Sequence, residues 1–315
     1  MQTLNIIFCG TPDFAVPLLA ALAADTRVNI KYVVTMPDRP ALRGQQLTSP
    51  PVALEARRLG LPLLQTANLN QELDWIALQQ QNEIDAIIVA AFAQFLKENL
   101  LTLGRLGAFN FHGSLLPKYR GAAPIQYALL NNDPTTGISI QKMVLKMDAG
   151  DIVAQATVPV AENDDYFSLS AKLQQQAVAL LPDFITHLLQ GDFTLRPQEE
   201  TQVSYAPTIK KEMGFLDFAQ QSSTYLLGQI RAFALWPRPY CFINQNRLLV
   251  HEAHVYPHAT LAPGEISLAS GYLLVGTQTK TLRLAKIQWA NKKAVADTAW
   301  AQGVHTTLHL TGRPT

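Results

Sequence analysis

From Leu4 to His112 the chain alternates short apolar runs with stretches of helix length, and this alternation constrains the fold more than any other feature. The runs Leu4–Cys9, Lys31–Thr35, Leu61–Leu64, Ala86–Ala91 and Gly107–His112 predict strands. Phe14–Ala24, Pro51–Leu59, Leu69–Gln81 and a shorter stretch, Lys97–Leu101, predict helices between them. Strands and helices that alternate at this spacing form βαβ units, so the expected class is α/β with a mostly parallel sheet.

Beyond His112 the pattern changes. Ala122–Leu130 predicts a helix, and Ile138–Met143 and Ile152–Pro159 predict antiparallel additions at the sheet edge. Phe167–Leu189 carries Leu169, Leu173, Ala177, Leu180, Leu181, Phe184 and Leu188 at helical spacing, with Gly191 as a stop signal. Asp192–Ile209 loses periodicity and reads as a linker. After it come a helix, Ser222–Leu235, and closely spaced runs at Tyr240–Ile243, Leu248–Val255, Gly264–Ser267, Tyr272–Gly276 and Leu282–Trp289. Such short strands suggest a small β-barrel, with an OB-like barrel as one candidate. The expected division is a first domain over 1–191, a linker over 192–209 and a second domain over 210–315.

With 48% apolar and 16% charged residues, the 315-residue chain has the composition of a compact protein and not of a disordered one. No apolar run is long enough to span a bilayer, and the start MQTLNIIFCG shows no secretory pattern, so a cytoplasmic protein is expected. Cys9 and Cys241 are far apart and lack CxxC spacing, which predicts reduced thiols and no metal site. Charge is uneven: up to Ala206 there are 14 basic and 19 acidic residues, and from Pro207 onward 11 basic and 5 acidic. That imbalance suits either an ordinary solvated surface or a basic module that meets a polyanion.

Chemistry concentrates between Phe109 and Asp151. Asn110 and His112 fall at the end of a predicted strand, and alternation puts both on one face. Asn can donate an N–H to a developing oxyanion, and neutral His can accept or relay a proton. Asp148, in Met147-Asp148-Ala149-Gly150-Asp151, is either turn chemistry or a partner that orients His112. Gly10-Thr11-Pro12-Asp13 lacks the GxGxxG spacing of a dinucleotide site and reads as a tight strand-to-helix turn. The chain has no HExxH motif, CxxC pair or GxSxG elbow, which disfavours metal and serine chemistry and favours direct group transfer.

Asn110-Phe111-His112-Gly113-Ser114-Leu115-Leu116-Pro117, with Asp148 downstream, resembles the formyltransferases that use 10-formyltetrahydrofolate. Within that group Arg120-Gly121-Ala122-Ala123-Pro124-Ile125-Gln126 is similar to the enzymes acting on methionyl-tRNA, as are Phe8–Phe14, Pro37-Asp38-Arg39-Pro40 and Arg231-Ala232-Phe233…Trp236-Pro237. The resemblance implies a Rossmann-like catalytic domain followed by a smaller OB-like barrel. It implies transfer of formyl from N10 of the folate to the α-amino group of methionyl initiator tRNA, by Asn110, His112 and Asp148, without metal. Ser114, Leu115, Leu116 and Pro117, with Phe92 and Gln94 in the Ala91–Leu96 region, are the implied folate-pocket residues. Arg43 is implied to enter the acceptor stem with its loop, while Lys210, Lys211, Arg231, Lys292 and Lys293 are tRNA-binding candidates chosen by charge. A monomer is the default expectation.

Three departures from the family pattern bear on affinity and loop geometry: Gln45-Gln46 replace a lysine pair, Leu42 replaces a Gly, and Ala91-Phe92-Ala93 replaces Ala-Tyr-Gly. Two rivals stay open. One is a formyltransferase for another amine, a nucleotide sugar or glycinamide ribonucleotide. The other is an RNA-binding protein with an idle folate fold.

Overall fold

Strand β1 (Leu4–Gly10) is apolar along nearly its whole length and almost wholly buried, as expected of a strand covered on both faces of a sheet. The computed structural model describes residues 3–41, 46–71, 83–269, 271–304 and 307–312. The remaining strands of the first half are β2 (Val28–Thr35), β3 (Arg39–Ala41), β4 (Gln46–Thr48), β5 (Leu63–Gln65), β6 (Ala86–Ala90), β7 (Gly107–His112), β8 (Thr135–Lys142) and β9 (Ile152–Pro159). Seven of these nine form one sheet in the order β5-β2-β1-β6-β7-β8-β9, and β3 and β4 form a separate hairpin. The first five strands of that order are parallel, while β8 and β9 add on antiparallel. The expected α/β class and the antiparallel edge are both observed.

The chain winds from β1 outward to β2 and β5, then returns to lay β6 on the other side of β1. Strand order reverses there, and open sheets of this kind bind ligands at the carboxyl ends of the strands beside such a reversal. Gly10 pairs with Ala90, and Ala90 pairs with Phe111, so the ends of β1, β6 and β7 lie side by side. A Cβ on Gly10 would sit 2.7 Å from the Cβ of Ala15, which explains glycine in that tight turn.

The helices expected at Phe14–Ala24, Pro51–Leu59, Lys97–Leu101 and Ala122–Leu130 are observed as Val16–Ala24, Pro51–Arg58, Glu98–Leu101 and Pro124–Leu130. Of Leu69–Gln81, residues Leu69–Gln71 form a short 3-10 turn and the rest lies outside the described residues. The long helix runs over Tyr166–Gln190. Its stripe buries Leu169, Leu173, Ala177, Leu181, Phe184, Ile185 and Leu188, while Leu180 is only half-buried.

Contacts divide the chain into two compact units: Met1–Pro124, Thr135–Pro159 and Ser170–Ala206 form the first, and Ile125–Pro134, Val160–Leu169 and Pro207–Thr315 the second. Residues 192–206, within the stretch read as a linker, are hydrogen-bonded into the first unit. Arg196 exchanges backbone bonds with Ile152, Ser204 O accepts from Arg120 N, and Ala206 N donates to Arg120 O.

The second unit contains β10 (Tyr240–Ile243), β11 (Asn246–Val255), β12 (Ile266–Ala269), β13 (Tyr272–Val275), β14 (Leu282–Trp289), β15 (Val295–Ala296) and β16 (Leu310–Thr311). Their order is β12-β13-β14-β11-β10-β16, with β15 on β14, and they build an antiparallel, nearly closed barrel. The helix Ser223–Ala232 starts where the Ser222 hydroxyl accepts from Tyr225 N, and it packs Leu226 and Ile230 into a core with Leu248, Val250, Leu284 and Ile287. Inside this unit the Arg283–Asp297 ion pair closes at 2.8 Å, with the aspartate fully buried. Both cysteines are buried, and burial pushes the Cys241 thiol up to about 12 and Cys9 higher still, so both stay protonated and unreactive. Among the described residues no helix is long and apolar enough to cross a membrane.

Candidate active site

Strand β7 divides its side chains between two environments. Phe109 and Phe111 meet Phe184 of the long helix edge-on, with ring centroids 5.3 and 5.6 Å apart. Each such contact is worth about 0.5–1.5 kcal/mol beyond its buried area, so this packing fixes the rotation of the strand. Alternation then turns Asn110 and His112 to the opposite face, where their partners on β8 are Gln141 and Ser139.

Asp148, in the turn between β8 and β9, is brought to the same place. Its φ is 50°, in the left-handed region that Asp tolerates better than most residues. Four groups converge on the carboxylate. Oδ1 accepts from Gln141 Nε2 at 2.8 Å and, more distantly, from Asn110 Nδ2 at 3.5 Å. Oδ2 accepts from the Gly121 N–H at 2.8 Å, and His112 Nδ1 lies 3.7 Å from it. The three predicted catalytic side chains are therefore assembled around one carboxylate.

His112 is buried, and its Nε2 lies 2.8 Å from the Tyr119 carbonyl oxygen. A carbonyl can only accept, so Nε2 carries hydrogen and Nδ1 is the nitrogen facing Asp148. Gly121 has φ of 122°, and a Cβ there would lie 2.7 Å from the Ala206 carbonyl oxygen. Only glycine brings that backbone N–H to the carboxylate without strain. Two residues past Asp148, a Cβ on Gly150 would fall 1.7 Å from Lys142 O, so the turn requires glycine there as well.

Residues 192–206 complete the surroundings. Gln198 Nε2 donates to the carbonyls of Asp148 and Gly150 at 2.8 and 2.7 Å. The Gln198 Oε1 accepts from Nε and Nη2 of Arg120, at 3.0 and 2.8 Å, and Arg120 is only 1% exposed. Its Nη2 also reaches Glu200 Oε1 at 2.8 Å, and Lys146 binds the other Glu200 oxygen at 3.1 Å. The hydrogen bond from Arg120, then that from Lys146, holds the Glu200 carboxyl below the usual range. Gln141, Gln198 and the contacts of Arg120 were not expected from the sequence. Polar Ser139 and Gln141, alternating with Ile138 and Ile140 along β8, were the available signal for the first of these; nothing local marks Gln198.

The predicted folate residues fall into two groups. The Ser114 hydroxyl donates to Lys118 O at 2.5 Å, and the backbone N–H of Leu116 donates to Ser139 Oγ at 2.9 Å. Leu115 packs against Gly137, and Pro117 O accepts from Ser204 N at 3.3 Å. Ser114–Pro117 thus brace the turn that follows β7. Phe92 packs on the apolar cluster around Leu96 and Leu100. Gln94 ties the segment after β6 down: its Oε1 accepts from Leu69 N, and its Nε2 donates to Thr66 O, both at 2.7 Å. No group of three or more His, Cys, Asp or Glu suited to a metal occurs among the described residues.

The charge-based candidates differ among themselves. Lys210 and Lys211 are exposed at the start of a 3-10 turn, and Lys292 and Lys293 are exposed in the turn after β14. Arg231 is different. Its guanidinium donates to Asp164 O and Asn132 Oδ1 within the second unit, and burial lowers its pKa. Unlike the four lysines, it is engaged within the unit as an internal tie. Arg43, with Leu42 and Gln45 of the same loop, lies outside the described residues.

Residues 2–185 match the Formyl transferase family, and residues 208–305 match the Formyl transferase, C-terminal domain family. A methionyl-tRNA formyltransferase from Geobacillus thermodenitrificans is 37% identical, over 96% of this chain and 95% of its own. Another from Latilactobacillus sakei is 39% identical, over 95% and 94%. Among solved structures, an N-formyltransferase from Helicobacter canadensis in complex with folinic acid and dTDP-3-aminofucose superposes with a TM-score of 0.65 at 18% identity, covering 92% of this chain and 100% of that one. HypX from Aquifex aeolicus superposes with a TM-score of 0.64 at 14% identity, covering 99% of this chain and 51% of that longer one. At those identities the two structures establish the shared fold alone. With near-complete coverage by relatives of that name and both family domains in order, the chain belongs to the methionyl-tRNA formyltransferase family.

Proposed function

We propose that Asn110, His112 and Asp148 carry the transfer of a formyl group from N10 of 10-formyltetrahydrofolate to the α-amino group of methionyl initiator tRNA. The observation behind this reading is the position of Asp148, within 3.5 Å of the Asn110 amide nitrogen and 3.7 Å of His112 Nδ1. An amide donor, an imidazole nitrogen and a carboxylate meet at the carboxyl end of β7, on its β8 side.

The acceptor amine attacks the formyl carbon as the neutral base, and the carbonyl oxygen gathers negative charge as the tetrahedral intermediate forms. Asn110 Nδ2 supplies a donor for that oxygen. His112 holds its ring by Nε2–H on Tyr119 O, which leaves Nδ1 to take up a proton and, once protonated, to donate. Asp148 stabilises the resulting imidazolium. Collapse of the intermediate breaks the bond to N10, which receives that proton from His112 and leaves as tetrahydrofolate. The long 3.5 and 3.7 Å contacts suit this role, because catalytic hydrogen bonds often tighten only with substrate bound.

For the folate, Phe92 and Gln94 are the favoured contacts, since they follow β6 at the strand-order reversal. For the tRNA, the second unit supplies Lys210, Lys211, Lys292 and Lys293, whose exposed charges suit phosphates. Transfer of labelled formyl to methionyl initiator tRNA, lost in His112→Ala, is the expected result. Turnover of a nucleotide-linked amino sugar with none of methionyl-tRNA would overturn the choice of acceptor. Tight tRNA binding without any transfer would overturn the reading as an enzyme.

A further inference from the structure

The Asp148 carboxylate has about four acceptor sites, and in this structure the four contacts fall into two kinds. Gln141 Nε2 and Gly121 N–H bind at 2.8 Å each, one on each oxygen. Asn110 Nδ2 and His112 Nδ1 stand off at 3.5 and 3.7 Å, again one on each oxygen. Short charge-assisted bonds fix a carboxylate, and long ones are readily exchanged. Gln141 and Gly121 therefore hold the carboxylate in place, and Asn110 and His112 are left to meet the substrate.

Gln141 is unusual in what it leaves undone. It is 1% exposed, and among the described residues Oε1 finds no hydrogen-bond partner. Among the described residues the side chain makes one hydrogen bond, to Asp148. A carboxylate only accepts, so the amide must face it with Nε2, which aims Oε1 away. A buried amide with an unanswered oxygen is a poor choice for stability, because desolvation of that oxygen is not repaid. Gln141 therefore serves Asp148, not the core.

The backbone of Asp148 is fixed separately. It is held at φ 50°, its carbonyl accepts from Gln198, and Gln198 is held by Arg120. We infer that Gln141 and Gln198 are positioning residues for the transfer reaction, Gln141 clamping the Asp148 carboxylate and Gln198 clamping its backbone. Neither touches the reacting atoms. The inference rests on the function proposed above, because it takes Asp148 as a member of the catalytic set.

Two substitutions test it. Gln141→Leu keeps the volume and removes both the clamp and the unanswered oxygen. Its thermal midpoint should stay within about 4 °C of the unaltered protein. Its kcat should fall on the order of 10²-fold, as expected for a reacting group displaced by about an ångström, with both KM values changed less than about threefold. Gln141→Glu is isosteric and places a second carboxylate beside Asp148. Its activity should be low at neutral pH and recover in part toward acid, where the pair shares a proton and an O–H donor is restored. Gln198→Leu should also reduce kcat more than it raises either KM.

Unchanged kcat in Gln141→Leu, a loss confined to KM, or a Gln141→Glu variant with the pH profile of the unaltered protein would overturn the inference. If Gln141→Leu fails to fold, the Gln141→Glu profile decides alone. Transfer by the unaltered protein, run alongside, tests the proposed function itself, so the two failures are distinguishable.

Discussion

The backbone N–H of Gly121 donates to Asp148 Oδ2 at 2.8 Å, linking the loop after β7 to the turn after β8 through a residue with no side chain. Its φ of 122° and the 2.7 Å approach a Cβ would make to Ala206 O both exclude other residues. Gly121→Ala should therefore cost about 1–3 kcal/mol in stability from backbone strain and lower turnover besides. Chemical denaturation of the variant, paired with an activity assay, measures both effects. A variant as stable and active as the parent would show that the loop relaxes without consequence.

His112→Ala and Asp148→Ala should each lower kcat by roughly 10²–10⁴-fold, the range for general acid–base groups. Affinity for tRNA should change little, because neither residue is a phosphate contact. Single-turnover transfer, with tRNA binding measured separately, separates the two quantities. A loss seen in affinity alone would remove both residues from the catalytic set.

Lys292 and Lys293 should act together on tRNA. Their double replacement by Ala should raise the tRNA KM and make log K less steep against log salt by roughly one to two, as expected for one or two lost phosphate contacts. An unchanged salt slope would assign the pair to ordinary surface.

Arg231→Ala should behave in the opposite manner. Its guanidinium ties Asp164 to Asn132, so the thermal stability of the second unit should fall while the salt slope of tRNA binding stays the same. Calorimetry and a salt titration on one preparation decide between an internal tie and a phosphate contact.

Asp297 gives the second unit a dependence on acid. Burial pushes its carboxyl up, but the Arg283 hydrogen bond and the N–H groups of Leu273 and Thr298 outweigh burial and hold it below the usual range. A carboxylate depressed in the folded state contributes stability above its unfolded pKa, about 3.9. That contribution is lost as pH falls through the lower folded value. Unfolding of the parent should steepen with acid below about pH 4, and Asp297→Asn should flatten that dependence. Parallel pH curves for the two proteins would show that the ion pair is not linked to folding.

The sequence by itself determined the class of fold and, through its family resemblance, pointed to Asn110, His112 and Asp148. Hydrophobic periodicity is a local property, so the parallel strands, the antiparallel additions at β8 and β9, and the long helix with its stripe were all legible before any coordinates. Alternation along β7 was enough to put Asn110 beside His112, since a strand has a period of two whatever surrounds it. The tertiary structure alone decided what holds Asp148. Its partners Gly121, Gln141 and Gln198 come from a loop, a strand and a stretch that reads as a linker, and no local pattern records which segments meet. The internal partners of Arg231 were hidden for the same reason, because a cation on a helix looks alike in sequence whether it faces solvent or a carbonyl within the fold. Hydrogen bonds between distant segments depend on register and loop path, and these are set only when the whole chain has packed.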